Sequence, residues 1–299
     1  MNSKKTRGFV TLATGNTHYY QLALNLLKSY RYRGGKYPFA ILCDQKNEYT
    51  NAFDNIVLLE NISGCLLDKF RILIDSPFEE TFFIEPDCIV YQKIDIFWEY
   101  FKNATDFSSF GWNDAPIDDF LNLLDIEKEW HINCAPLFCP AYLYVRKGAI
   151  CEAMYRDCMT ISNYLIENKT RHPKAFRQGM LYDDPVFFLA MKMNGCTCVV
   201  DPSIGKCIHY PSFKRRHGHY PEMHFGKGSL EDDTPNCTAN LCHFSSKHTH
   251  LGKYKQQVVA MNCYMNGNRT IGRFLETSFV GMLFQFYWNG WYKVKRLLN

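Results

Sequence analysis

Two carboxylates separated by one proline, Glu85-Pro86-Asp87, follow the apolar run Thr81-Phe82-Phe83-Ile84 and precede another, Cys88-Ile89-Val90. Proline cannot donate to a strand ladder, so it marks a strand end and leaves both acidic groups at the rim. Carboxylates so placed suit a hard divalent cation, Mn2+ or Mg2+, and with it the charge of a departing diphosphate. The same triplet would serve equally as a solvated turn, because so short a motif is a hypothesis until its surroundings agree with it. The elements on either side decide what else reaches that rim.

Phe9-Val10-Thr11-Leu12-Ala13 is a β-rich run, followed by the turn-prone Thr14-Gly15-Asn16-Thr17 and an apolar periodicity through Tyr20, Leu24, Leu27 and Tyr30 that predicts a helix. Gly34-Gly35 ends the helix, and Phe39-Ala40-Ile41-Leu42-Cys43 predicts a second buried strand closing at Asp44. The opening is a βαβ unit with a parallel pair, whose ligands bind beyond the carboxyl ends of the strands, at Thr14 to Tyr19 and Asp44. Asn55 to Leu59 predicts a third strand, Leu66 to Leu73 a helical stretch, and Thr81 to Ile84 a fourth strand. Beyond Phe101 the pattern is less regular. Trp112 to Leu124 reads as a loop entering a short helix and Ala141 to Val145 as a strand. Tyr182-Asp183-Asp184-Pro185 heads an apolar helix, Val186 to Met193, and His209 to Asp233 reads as a long loop.

A chain of 299 residues, 46% of them hydrophobic, can bury one large α/β core. With 34 basic and 30 acidic residues the formal net charge is +4, too balanced for a nucleic-acid wrapper, so no nucleic-acid partner is expected. Met1 to Gly8 runs straight into the first strand with no apolar stretch for a signal peptide, which points to a cytoplasmic protein. The 13 cysteines are odd in number and often lie inside apolar runs (Cys43, Cys88, Cys151), as reduced core thiols do.

Thr11-Leu12-Ala13-Thr14-Gly15-Asn16-Thr17-His18-Tyr19, then Lys69-Phe70, then Phe83-Ile84-Glu85-Pro86-Asp87-Cys88-Ile89-Val90 fall in order along the first hundred residues. In this series the chain resembles the donor half of glycogenin and the bacterial lipopolysaccharide galactosyltransferases, the retaining glycosyltransferases of family eight. The resemblance implies a GT-A fold, an α/β Rossmann-like nucleotide-binding mixed sheet flanked by helices, together with a UDP-sugar donor and Mn2+ (or Mg2+). It further implies that Leu12, Thr14, Asn16 and Tyr19 contact uracil and ribose, and that Lys69 reaches donor groups beside the metal. Glu85 and Asp87 stand at the Asp-X-Asp positions, with Glu where the family has Asp; Asp87 is the firmer metal ligand, and Glu85 binds ribose or metal less directly. Tyr182-Asp183-Asp184 resembles the family's acidic pair near the acceptor and donor sugar, which makes Asp183 and Asp184 catalytic candidates, although helix capping explains them as well. His243-Phe244-Ser245-Ser246-Lys247 resembles a His-Phe-X-Gly-X-X-Lys segment whose His completes the metal site and whose Lys grips the diphosphate. Ser246 replaces the glycine and the lysine comes early, at Lys247, with Lys253 as a second candidate.

Other clusters carry blander readings. Cys196, Cys198, Cys207, His209, Cys237, Cys242 and His243 lack the paired hooks of a structural zinc motif, and Lys214-Arg215-Arg216-His217-Gly218-His219 reads as a solvated loop. At the carboxyl end, Phe274, Leu275, Phe279, Leu283, Phe284, Phe286, Tyr287, Trp288, Trp291 and Tyr292 precede Lys293, Lys295 and Arg296, interrupted by Gln285, Asn289 and Gly290. That stretch is too short and polar to span a bilayer; it is either an interfacial helix on an anionic inner leaflet or a terminal helix packed on the core. The expected layout is a catalytic domain over residues 1–250, with a donor-nucleotide half (1–100) and an acceptor half (101–250), and a helical aromatic and basic tail over 251–299. The expected activity is metal-dependent transfer of a hexose from a UDP-sugar to a glycan or lipid-linked glycan in surface glycan biosynthesis. A catalytically silent nucleotide-sugar-binding protein and a sugar nucleotidyltransferase are the rival readings.

Overall fold

The β-rich runs become strands wherever both of their faces find apolar cover. In the computed structural model, residues 6–63, 66–116, 121–177, 179–200, 208–209, 240–244, 249–250, 252–277 and 279–298 are described. They fall into two compact units: Met1–Tyr20, Tyr37–Glu85 and Ile96–Pro202 form the first, and Gln21–Lys36, Pro86–Asp95 and Ser203–Asn299 the second.

The first unit is built on β1 (Arg7–Ala13), β2 (Phe39–Cys43), β3 (Asn55–Leu58) and β4 (Glu80–Ile84), with β6 (Phe107–Ser108) and β9 (Tyr142–Arg146) completing a six-stranded sheet in the order β3-β2-β1-β4-β9-β6. β1 runs parallel to β2 and β4, whereas β9 is antiparallel to β4 and β6, so the sheet is mixed. It is flanked by helices, and the α/β class read from the sequence is the observed one. One face packs Val10, Ala40, Leu42, Phe83, Leu143 and Val145 into a core with Cys151, Met154 and Cys158 of α5 (Ala149–Glu167) and Val186 to Met191 of α6 (Asp183–Met193). The other face is aromatic: Phe82 lies 6.1 Å from Phe9, 5.3 Å from Phe97 and 5.2 Å from Phe101, ring to ring. Burial on both faces is why β1, β2 and β4 read as continuous apolar runs.

Two shorter pairings complete this unit. β10 (Phe176–Arg177) and β11 (Met180–Leu181) form a small antiparallel hairpin. β7 (Gly111–Ala115) and β8 (Ala135–Phe138) form another ribbon, irregular between Trp112 and Ala115. Trp112 therefore lies in a strand rather than in the expected loop, while α4 (Leu123–Trp130) starts close to its expected place. Gly111 permits the pairing, since a Cβ there would meet the Leu137 carbonyl oxygen at 2.4 Å.

In the second unit, β5 (Cys88–Val90) pairs antiparallel with β13 (Leu241–His243), which lies parallel to β12 (Ile208–His209). Most of α1 (Thr17–Tyr32) belongs here, with the helices Gly252–Met265, Arg269–Thr277 and Phe279–Leu298. Leu22, Ile89, Tyr91, Cys242, Phe244, Tyr254 and Met261 are the centre of its core. The carboxyl-terminal helix docks through its polar residues: Gln285 Nε2 donates to Gln256 Oε1 at 2.7 Å, and Asn289 Oδ1 accepts the Gly252 N–H at 2.9 Å. Leu283, Phe286, Tyr287 and Trp291 are left exposed. Among the described residues no helix is long and apolar enough to cross a membrane.

Candidate functional site

In the first unit β1 has β2 on one side and β4 on the other; the chain runs from β1 through β2 to β3 and then crosses back to β4. The strand order therefore reverses between β1 and β4, and the carboxyl ends of these two strands are the switch point where ligands of open α/β sheets bind. The loop after β1 turns at Gly15, whose φ of +74° is the left-handed region that glycine enters without strain. Asn16 then starts α1: its Oδ1 accepts the His18 N–H at 2.9 Å and its carbonyl accepts the Tyr19 N–H at 2.9 Å, so this side chain caps the helix. Thr14 is half-buried in the same turn and its carbonyl accepts the Asn16 N–H. Leu12 packs its side chain against the core, and Tyr19 holds an exposed ring at the start of the helix.

Asp44, at the end of β2, fastens that loop by accepting the Gly15 N–H at 3.0 Å and the Tyr20 hydroxyl. Burial and the Asp44 carboxylate both push the Tyr20 phenol upward, so it stays protonated and remains a donor. Tyr20 reads in the sequence as one more apolar helical position; its phenol oxygen, absent from Phe, is the only local sign of a polar partner.

The rim of β4 carries a second charged group. Glu85 donates its backbone N–H to the Ala141 carbonyl at 2.7 Å, as the antiparallel approach of β9 allows, and its carboxylate pairs with Lys69. Lys69 comes from the 3-10 turn Leu66–Arg71, is only 4% exposed, and pairs equally closely with Asp183. Burial alone would lower the Lys69 pKa, but the carboxylates of Asp183 and Glu85 outweigh it and the net direction is up. Asp183 is the first residue of α6, with Tyr182 at the N-cap, so the two acids occupy the first turn, where the helix dipole favours negative charge. Beside it Asp184 is pushed up to about 7, by burial first and the Asp183 charge second, with Glu85 adding and Lys69 opposing.

The second unit holds the remaining acid and the imidazole. Register pairs His243 with Cys88, and the Phe244 N–H donates to the Asp87 carbonyl at 3.0 Å, which fixes both side chains on adjacent strands. His243 Nε2 lies 3.2 Å from Asp87 Oδ1, with both side chains largely buried. Two cis ligands of an octahedral ion at about 2.1 Å would stand about 3 Å apart, so this oxygen and nitrogen fit a shared divalent cation. This acidic and imidazole group could hold a metal, and Glu85 precedes Asp87 by two residues along the chain. Lys247 lies outside the described residues, as do Cys207, Cys237, the Lys253 side chain and most of the expected His209 to Asp233 loop.

The sequence matches no family model and no curated protein. In structure the chain is similar to the galactosyltransferase LgtC in complex with donor and acceptor sugar analogues, at 12% identity over 80% of this chain and 87% of that chain, TM-score 0.48. It is also similar to the glycosyltransferase GlyE of Streptococcus pneumoniae TIGR4, at 11% identity over 81% of this chain and 56% of that one, TM-score 0.49. Mouse xyloside xylosyltransferase 1 compares at 12% identity over 81% and 99% of the two chains, TM-score 0.45. These likenesses are remote, at 11–12% identity.

Proposed function

We propose that this chain is a GT-A glycosyltransferase that moves a hexose from a UDP-sugar to a glycan or lipid-linked glycan, with retention, using Mn2+ or Mg2+. The observation that carries the reading is the rim of β4, where Lys69 is clamped between Glu85 and Asp183 and the chain continues within two residues to the Asp87–His243 pair. Ligand-type carboxylates following the carboxyl end of β4 suit a divalent cation, and through it an anionic nucleotide.

The uracil and ribose belong at Leu12 to Tyr19, where the exposed Tyr19 ring would stack on the base. Asn16 contributes there through its backbone and its cap, which holds the loop in shape. Asp87 and His243, with Glu85, are the ligands for the cation, which supplies charge neutralisation to the leaving diphosphate. Lys69 holds Glu85 and Asp183 in place. Asp184, its carboxyl pushed up to about 7, holds a proton below neutrality and there can donate a hydrogen bond to a sugar oxygen, and Lys247 is the proposed cation for the diphosphate. The carboxyl-terminal helix lies on an anionic membrane face. Residues 252–299 carry seven basic side chains against one acidic, a formal +6 compared with +4 for the whole chain, and Phe286, Tyr287 and Trp291 of the helix are exposed.

The test is a donor screen for UDP release with Mn2+, repeated with Asp87→Asn. Release from one UDP-hexose that falls at least about 100-fold in the variant is expected, the loss a catalytic metal ligand produces. Absence of both turnover and calorimetric UDP binding would refute the proposal. UDP binding without turnover would favour the silent donor-binding protein, and pyrophosphate release from a nucleoside triphosphate the nucleotidyltransferase.

A further inference from the structure

An aromatic side chain that serves only the core is buried, and Trp112 is 70% exposed. It stands on β7 opposite Leu137 of β8, and the alternation of the strand leaves Asp114 exposed on the same side, while Asn113 between them is half-buried. Asn113 is pinned on both sides of its amide: Oδ1 accepts the Cys198 N–H at 2.6 Å, and Nδ2 donates to the Cys198 carbonyl at 3.3 Å. The strand is therefore fixed where it presents the indole outward.

The groups beside the indole are hydrogen-bonding ones. Lys192, in the last turn of α6, places Nζ 3.4 Å from Asp114 Oδ1 and 3.6 Å from the Cys134 sulfur. The Asp114 side chain is 75% exposed, so screening makes this ion pair weak, and both charged ends are free to exchange it for other partners. A flat apolar face flanked by a carboxylate acceptor and an ammonium donor matches a pyranose ring. Its axial C–H face stacks on an aromatic surface while its equatorial hydroxyls need both kinds of hydrogen-bonding partner.

The platform also has a definite place relative to the charged rim. Phe138, the residue after Leu137, packs its ring 5.1 Å from Phe188, midway along α6, whose first residue is Asp183 and whose last turn holds Lys192. At 1.5 Å per residue, Lys192 lies about 14 Å along the helix axis from Asp183. A saccharide lying beside α6 could thus have one ring near the acidic turn and a further ring at the indole.

We propose that Trp112, with Asp114 and Lys192, forms a stacking subsite for a pyranose ring of the saccharide acceptor other than the ring that receives the transferred sugar. This rests on the glycosyltransferase reading for the word acceptor, but saccharide binding at Trp112 stands or falls by itself.

The test is saturation-transfer NMR on the full chain with methyl β-D-galactopyranoside, methyl β-D-glucopyranoside and lactose as probes, alongside calorimetry with UDP. At least one probe should bind the wild type saturably, weaken about tenfold or more in Trp112→Ala and less in Trp112→Phe, and weaken in Asp114→Asn, with UDP affinity unchanged throughout. No probe binding to the wild type overturns the proposal, as does equal binding to Trp112→Ala. A change in elution volume of Trp112→Ala on size exclusion also overturns it, because it makes the indole a contact between copies of the chain. Since the side chain is exposed, the variant should melt as the wild type does, and its loss of binding is not a loss of fold. Failure of UDP to bind would count against the donor reading alone.

Discussion

Replacing Lys69 by methionine keeps the length of the side chain and removes its charge, which isolates what the ammonium does for Glu85 and Asp183. Lys69 and Asp183 each expose 6% of their side chains and Glu85 18%, so neither carboxylate can recover its hydration by a small movement. Removing one partner of a buried pair costs about 3–5 kcal/mol, and the two acids left facing each other place this case at the upper end. For a chain of this size that corresponds to a fall in Tm of roughly 6–20 °C. The pH dependence must also change. In the wild type the Lys69 pKa is raised above its ordinary value, so its contribution is fully present through neutral pH and is lost only in alkali. In Lys69→Met the acids acquire raised values in the fold, so stability is greatest below their unfolded values near 4 and declines as pH climbs toward 8. Urea unfolding at pH 5 and pH 8, with m unchanged, measures both effects, and Asp183→Asn added to Lys69→Met should recover part of the loss. A Lys69→Met chain within about 1 kcal/mol of wild type at pH 8, or no more stable at pH 5, would mean that the cluster is hydrated and the argument from burial fails.

Four further outcomes are expected. Asp184→Asn should raise stability at pH 8 by at most about 4 kcal/mol, because a carboxyl pushed up to about 7 stabilises the fold below its unfolded value and loses that contribution as pH climbs through 7; urea melts across pH 4–8 would show a flatter profile. His243→Ala should weaken Mn2+ binding at least about tenfold by calorimetry in the presence of UDP, and an unchanged affinity would remove the imidazole from the ligand set. Asn16→Ala should cost about 1 kcal/mol as a lost helix cap, with Asn16→Ser near wild type; if UDP affinity falls in Asn16→Ser while stability holds, the side chain is a ligand contact as well as a cap. Phe286→Ser combined with Trp291→Ser should abolish co-sedimentation with phosphatidylglycerol vesicles at low salt, whereas equal binding to neutral vesicles would argue against an electrostatic membrane contact.

The sequence made β1, α1, β2 and β4 legible because each is long enough for one period to dominate and is bounded by Gly, Pro or Asp. Cys88-Ile89-Val90 is an apolar run whose partner no local signal names: after Pro86 the chain pairs with β13 in another sheet, a choice made by residues 241–243 rather than by the run itself. β7 was illegible for a related reason: Asn113-Asp114 breaks the strand pattern, and its stability comes from β8 and the Cys198 backbone. Of the charged rim, Glu85 and Asp87 were visible as a motif. The joining of Lys69 to Asp183 was not, since 114 positions separate them and no local pattern marks a buried lysine that has found two acids. Asn16 was legible in another way, because the plain local rule for helix starts describes the cap its side chain makes on His18.

The core face of the first sheet is rich in sulfur: Cys151, Met154 and Cys158 from α5, Met191 from α6, and Cys196 and Cys198 beside them. In the folded chain these thiols are inert, with burial pushing Cys151 and Cys198 up to about 12. Unfolding returns them to water together, where they ionise readily, pair with one another and trap the chain before it can refold. Heat denaturation in air should therefore show hysteresis and a midpoint that moves with scan rate, both vanishing under a reducing agent; durability on the bench is then a matter of how often the sheet opens.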